Sequence, residues 1–187
     1  MTEVMTRTVV NGLDLDALGA VVGEVQADPA KALVRFAVAT RWTGQTGSRS
    51  TVSGYEIGGE TVARAFEIAA DEPLELLGTN QAPNPQELLM AAVNACMTVG
   101  YVAGASLHGI TLDSLTIETT GQLDLRGFLG LSDAVPPGYE AIDYTVRIAG
   151  DGTPAQFEEI HQTVMRTSPN YFNLARPIRM NGRLQVG

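Results

Sequence analysis

The chain has one cysteine, Cys96, inside the small-residue run Asn84-Pro85-Gln86-Glu87-Leu88-Leu89-Met90-Ala91-Ala92-Val93-Asn94-Ala95-Cys96-Met97. A lone thiol forms no internal disulfide, so redox chemistry at Cys96 needs an outside partner; the competing reading is an inert thiol that packs as a small apolar side chain. On a helix, Leu89, Ala92, Val93, Val99, Gly100 and Ala103 share its direction, which predicts a buried apolar face suited to close approach by another helix or a second subunit. Apolar burial opposes thiolate formation, and a mid-helix position gains little from the helix N-terminus. A reactive thiol there requires a cation from elsewhere, and Arg49, in the polar segment 43–50, is the arginine that could fold over a pocket.

Other chemistries fit poorly. His108 lies twelve positions beyond Cys96 on the same helix, out of reach for a cysteine–histidine nucleophile, and reads as a helix-end residue. His161 reads as a partly packed helix residue. One cysteine and two histidines without ligand-like spacing do not make the common zinc sites, so neither a metal nor a cofactor is expected. The glycines at 44 and 47 lead into a strand, not a helix, and therefore lack what a phosphate cradle needs.

Composition narrows the class further. At 187 residues, with 44% hydrophobic and 18% charged, the chain suits a globular protein able to bury a core without staples. A net charge of -9 with a single lysine, Lys31, argues against nucleic acid. No apolar run was expected to approach the roughly 20 residues of a bilayer span, and a cytoplasmic location is the expectation.

The elements that position Cys96 follow from periodicity. Residues 1–32 are read as a polar tail followed by a short amphipathic helix carrying Leu13, Leu15, Leu18, Val21, Val22 and Val25. Residues 33–187 are read as the main domain. Strands are predicted over 33–42, 52–57 and 62–68, with a turn-rich loop at 43–50 and Gly58-Gly59 joining the last two. A helix is predicted from Pro85 to about Leu107, stopped by His108-Gly109. Strands at 112–123 and 139–148 follow, separated by a long connection. A second helix, capped by Thr153, ends at Ser168-Pro169; a short helical turn spans 170–175, and 177–186 closes as a strand with Ile178, Met180 and Leu184 alternating. Strands in runs with helices between them give an α+β fold with antiparallel sheets and two long helices.

The Pro-x-Glu-Leu-Leu, Ala-Ala, Ala-Cys pattern of residues 85–96, the Leu107-His108-Gly109-Ile110 junction, and Ser168-Pro169 with Arg176-Pro177 resemble the OsmC/Ohr superfamily of osmotically inducible and organic hydroperoxide resistance proteins, in its general OsmC-like branch. The resemblance covers residues 33–187. It implies an intertwined homodimer with a pocket at the subunit interface. Cys96 would be the peroxidatic cysteine and Arg49 the activating arginine, with Arg41 as the other match. Leu89, Val93, Gln86, Ser168, Tyr171 and Phe172 would border the pocket. In the catalytic members a thiolate cleaves an organic hydroperoxide and a second cysteine resolves the sulfenic acid. Here the resolving position holds Ser168, and the position of the carboxylate that orients the arginine holds Gln86, with Glu87 beside it.

Two readings follow. In the first, the chain is a one-cysteine hydroperoxide reductase that uses an external thiol. In the second, it is a non-catalytic dimer whose interfacial pocket holds a small apolar or redox-active ligand, Cys96 filling space.

Overall fold

The computed structural model describes residues 7–187, and the chain divides into two compact units, 1–91 and 92–187. The start of the expected tail, residues 1–6, lies outside the described residues. Within the remainder, the tail is replaced by a hairpin of β1 (Val9–Val10) and β2 (Leu13–Asp14), turning at Asn11 (φ 51°) and Gly12 (φ 80°). Two-residue strands carry no periodicity, so Asn-Gly was the only available signal. The expected helix follows as α1 (Leu15–Ala27), whose first turn is capped by the Asp14 carboxylate accepting from the Ala17 N–H at 2.9 Å.

The first unit is built on an antiparallel sheet of β3 (Val34–Phe36), β4 (Ala39–Gly44), β5 (Gly47–Ile57) and β6 (Glu60–Ala70). β5 pairs with β6 along one edge; along the other it pairs with β4 near its start and β3 near its end. The strand expected over 33–42 is therefore broken at Ala37-Val38. The loop expected over 43–50 is a tight hairpin, because Gly44 (φ 118°) and Gln45 (φ 49°) reverse the chain and leave Arg49 in the ladder opposite Arg41. Between Gly47 and Val52 the register sets Trp42, Phe66 and Ile68 on one face and Arg41, Arg49 and Glu67 on the other; beyond the shift after Val52, Phe36, Tyr55 and Val62 share one face and Arg35 and Glu56 the other.

α2 (Pro85–Leu107) begins as the sequence predicts. The Asn84 carboxamide oxygen accepts from the Gln86 N–H at 2.7 Å, and the Glu87 carboxylate accepts from the Asn84 N–H at 2.8 Å, a reciprocal cap. By length and composition alone this 23-residue helix is apolar enough to cross a membrane, contrary to the expectation of no such run. Asn94 and Thr98 are polar side chains within it. Both find polar partners: the Asn94 side chain binds Ile117 and Thr119, and the Thr98 hydroxyl donates to the Asn94 carbonyl. Val93, Met97, Tyr101, Ala105 and Ser106 are its buried residues.

The second unit continues with β7 (Leu112–Gly121), α3 (Leu125–Phe128), β8 (Ile142–Gly150), α4 (Pro154–Thr167) and α5 (Pro169–Ala175). β7 and β8 pair antiparallel, and their inward residues Leu115, Ile117, Tyr144, Val146 and Ile148 pack on a core of Val93, Met97, Tyr101, Ala105, Ile110, Ile160 and Val164. Glycine sets the α2–α4 spacing. A Cβ on Gly100 would stand 3.1 Å from Val164 Cγ2, and one on Gly104 would stand 2.9 Å from Ile160 Cγ2. Residues 177–187 are not a strand. Ile178, Met180, Leu184 and Val186 alternate as expected but are exposed, since period-two patterning makes a strand only where an edge is present to pair with it.

Candidate functional site

Cys96 is half-buried on α2. The stripe that enters the core is Val93, Met97, Tyr101 and Ala105, whereas Leu89 and Val99, expected on a buried face with Cys96, are exposed, Val99 to 70%. The helix is apolar or small nearly all round, so hydrophobicity did not select the face; the fit of Gly100 and Gly104 against α4 did. Cys96 therefore stands at the margin of the core, between the buried stripe and an exposed apolar one.

The structure brings one predicted residue directly to the thiol. Ser168 lies where α4 ends and α5 begins, and its main chain is held on both sides: its N–H donates to Val164 O at 2.8 Å, and its carbonyl accepts from the Phe172 N–H at 3.0 Å. Its hydroxyl oxygen accepts from the Tyr171 N–H at 3.5 Å, and its hydroxyl proton is directed to Cys96 Sγ, with Oγ 3.4 Å from the sulfur. Ser168 is only 5% exposed.

Asn170, two residues on, was missed by sequence reasoning. Its Nδ2 donates to Ala92 O at 2.9 Å, the carbonyl one helical turn before Cys96, and so ties α5 to the Cys96 turn. An asparagine inside a Ser-Pro-Asn helix start was the available signal, but it reads equally as a capping residue.

The other expected residues take varied places. Val93 is core, and Tyr171 packs on that core, edge-on to Tyr144 with centroids 6.1 Å apart. Phe172 is exposed beneath the Arg176 guanidinium, 5.3 Å from its ring centre. His161 is partly buried as expected, and its Nδ1 is bonded to the Tyr101 hydroxyl. Burial pushes the Tyr101 phenol well above its ordinary range, so this hydroxyl keeps its proton. His161 is thereby engaged away from the thiol.

Gln86, Leu89, Arg41 and Arg49 belong to the first unit. Arg49 is fixed, not on a mobile loop: Nη1 donates to Glu67 Oε2 at 2.9 Å across β5 and β6. Glu67 is a carboxylate partner that the sequence reading sought at Gln86 and Glu87; Glu87 is instead spent on the cap of α2. Among the described residues, no group of three or more His, Cys, Asp or Glu could hold a metal ion.

Residues 78–181 match the family model described as OsmC-like protein. The chain belongs to this family. Solved structures resemble it at low identity. The OsmC-like protein from Mycoplasma pneumoniae is 15% identical, with a TM-score of 0.60 over 75% of this chain and 87% of the other. A hypothetical protein from Aquifex aeolicus is 15% identical, with a TM-score of 0.55 over 75% and 86%. An OsmC-like protein of unknown function from Vibrio cholerae is 14% identical, with a TM-score of 0.51 over 73% and 91%. At such identity the likeness concerns the fold. No match is found among curated proteins.

Proposed function

We propose that this OsmC-like protein is a thiol-dependent organic hydroperoxide reductase with Cys96 as its only redox residue. The observation that carries the reading is the polar contact made to Cys96 Sγ by a buried hydroxyl, in a family member whose matched segment spans both Cys96 and Ser168. A space-filling thiol in an apolar wall does not need a hydroxyl aimed at it.

In the first step the Cys96 thiolate attacks one peroxide oxygen. The O–O bond breaks, the sulfur becomes a sulfenic acid, and the alkoxide leaves as an alcohol after taking a proton. With no other cysteine in the chain, one external thiol condenses with the sulfenic acid, releasing water and forming a mixed disulfide. A second external thiol then restores Cys96 and leaves as the oxidised partner. The exposed apolar side chains Leu89 and Val99 on α2 favour an organic peroxide over hydrogen peroxide. Arg49, oriented by Glu67, is the arginine assigned to stabilise the thiolate and the departing alkoxide, and the working form is a cytoplasmic homodimer.

Consumption of cumene hydroperoxide with a small dithiol as reductant tests this reading. Catalytic turnover that is abolished in Cys96→Ser and much reduced in Arg49→Ala supports it. Equal background rates in all three proteins would instead favour a ligand-binding dimer in which Cys96 fills space.

A further inference from the structure

The Ser168 hydroxyl is held beside the Cys96 sulfur by the main chain on either side of it. The residue closes α4 and opens α5, its N–H and carbonyl are consumed by those two helices, and the Tyr171 N–H occupies a lone pair on its oxygen. A hydroxyl has one proton to give, and here it is aimed at Cys96 Sγ from 3.4 Å. Asn170, on the same helix turn, grips the Ala92 carbonyl and fixes the separation of Ser168 and Cys96. At 5% exposure, Ser168 is largely shielded from water that would compete for this bond.

We infer that Ser168 is a positioning residue for the Cys96 sulfur: it orients Sγ and stabilises its anionic form. Because its side chain occupies the space beside Sγ without offering a sulfur, it also directs resolution of the oxidised cysteine to a thiol from outside the chain. The inference rests on the redox reading of Cys96 for its functional meaning, but the hydrogen bond itself can be tested apart from that reading. Hydrogen bonds to charged groups contribute about 1.5–3 kcal/mol, so loss of the donor is expected to slow reactions of the thiolate roughly tenfold or more at neutral pH.

The first arm follows alkylation of the single thiol by iodoacetamide across a pH series in wild type, Ser168→Ala and Ser168→Thr. Ser168→Ala should react roughly tenfold more slowly at neutral pH, with its profile displaced toward alkaline pH, and Ser168→Thr, which keeps the hydroxyl, should recover most of the rate. Loss of packing alone does not displace the pH profile. If Ser168→Ala fails to fold, Ser168→Gly replaces it, since glycine is tolerated at an N-cap far better than alanine. Unchanged or faster alkylation without the hydroxyl would overturn the inference.

The second arm uses Ser168→Cys. After cumene hydroperoxide treatment, the introduced thiol should condense with the sulfenic acid of Cys96, releasing water and forming an intramolecular disulfide, read as a loss of two hydrogens by intact mass. Persistence of two modifiable thiols after wild-type Cys96 has been shown to oxidise would count against the inference. A hydroxyl-dependent alkylation profile combined with no peroxide chemistry in wild type would retain Ser168's role and discard the reductase.

Discussion

The two units of this chain bury different things. Every buried hydrophobic residue of the described core lies in the second unit, from Val93 to Val164. Among the described residues of the first unit the only buried charged or polar side chain is the Asp71 carboxylate, 4% exposed, while Phe36, Trp42 and Phe66 of its sheet are open, Trp42 to 75%. The second unit carries its own core, whereas the first leaves a sheet face with these apolar side chains exposed. The Cys96–Ser168 pair sits in the self-sufficient unit. Arg49 sits in the first unit.

That contrast can be broken by mutation. Ile160→Ala, which empties a fully buried site between α4 and α2, should cost about 2–5 kcal/mol in denaturant unfolding. Gly104→Ala places a methyl against Ile160, and overpacking of about 1–3 kcal/mol should exceed the roughly 1 kcal/mol that alanine gains in helix propensity; a lowered melting temperature reports it.

In the first unit the most telling change is Asp71→Asn. The hydroxyls of Thr79 and Thr46, followed by the N–H groups of Gln81 and Glu72, hold this carboxyl well below the usual carboxylate range. A depressed folded-state value gives stability that is present above the unfolded value of about 3.9 and is lost as pH falls below it. The wild type should therefore lose stability in acid more steeply than Asp71→Asn, as melting curves from neutral to acidic pH would show. Phe66→Ser should change dilute-protein unfolding least, by less than about 0.5 kcal/mol. It should nonetheless weaken the dependence of melting temperature on protein concentration if that face joins copies.

How far the sequence could be read follows the same division. α2 and α4 were legible because their signals are local: Pro85 followed by Glu87 at the start of α2, the Thr153 cap and the glycine after His108. The hairpin at Gly44-Gln45 was read as a loop because turn-rich composition hides a ladder that only pairing reveals, and Arg49 was misplaced with it. The site was half legible. Cys96 and Ser168 were named from sequence pattern, but their 3.4 Å contact depends on the α4–α5 corner, and Glu67 as the partner of Arg49 depends on cross-strand register. The buried side of α2 was unreadable because nearly all its faces are apolar. The terminal residues 177–187 show the converse case, in which alternation is legible but a strand does not form in the chain by itself.

The most direct test of the central claim is the intact mass of the reduced protein after brief exposure to cumene hydroperoxide, or to hydrogen peroxide in parallel, with a sulfenic-acid trap present and Cys96→Ser as control. The account predicts one trapped adduct per chain at Cys96, formed faster with the organic peroxide and absent from Cys96→Ser. An unmodified thiol at a peroxide excess that oxidises free cysteine would contradict it.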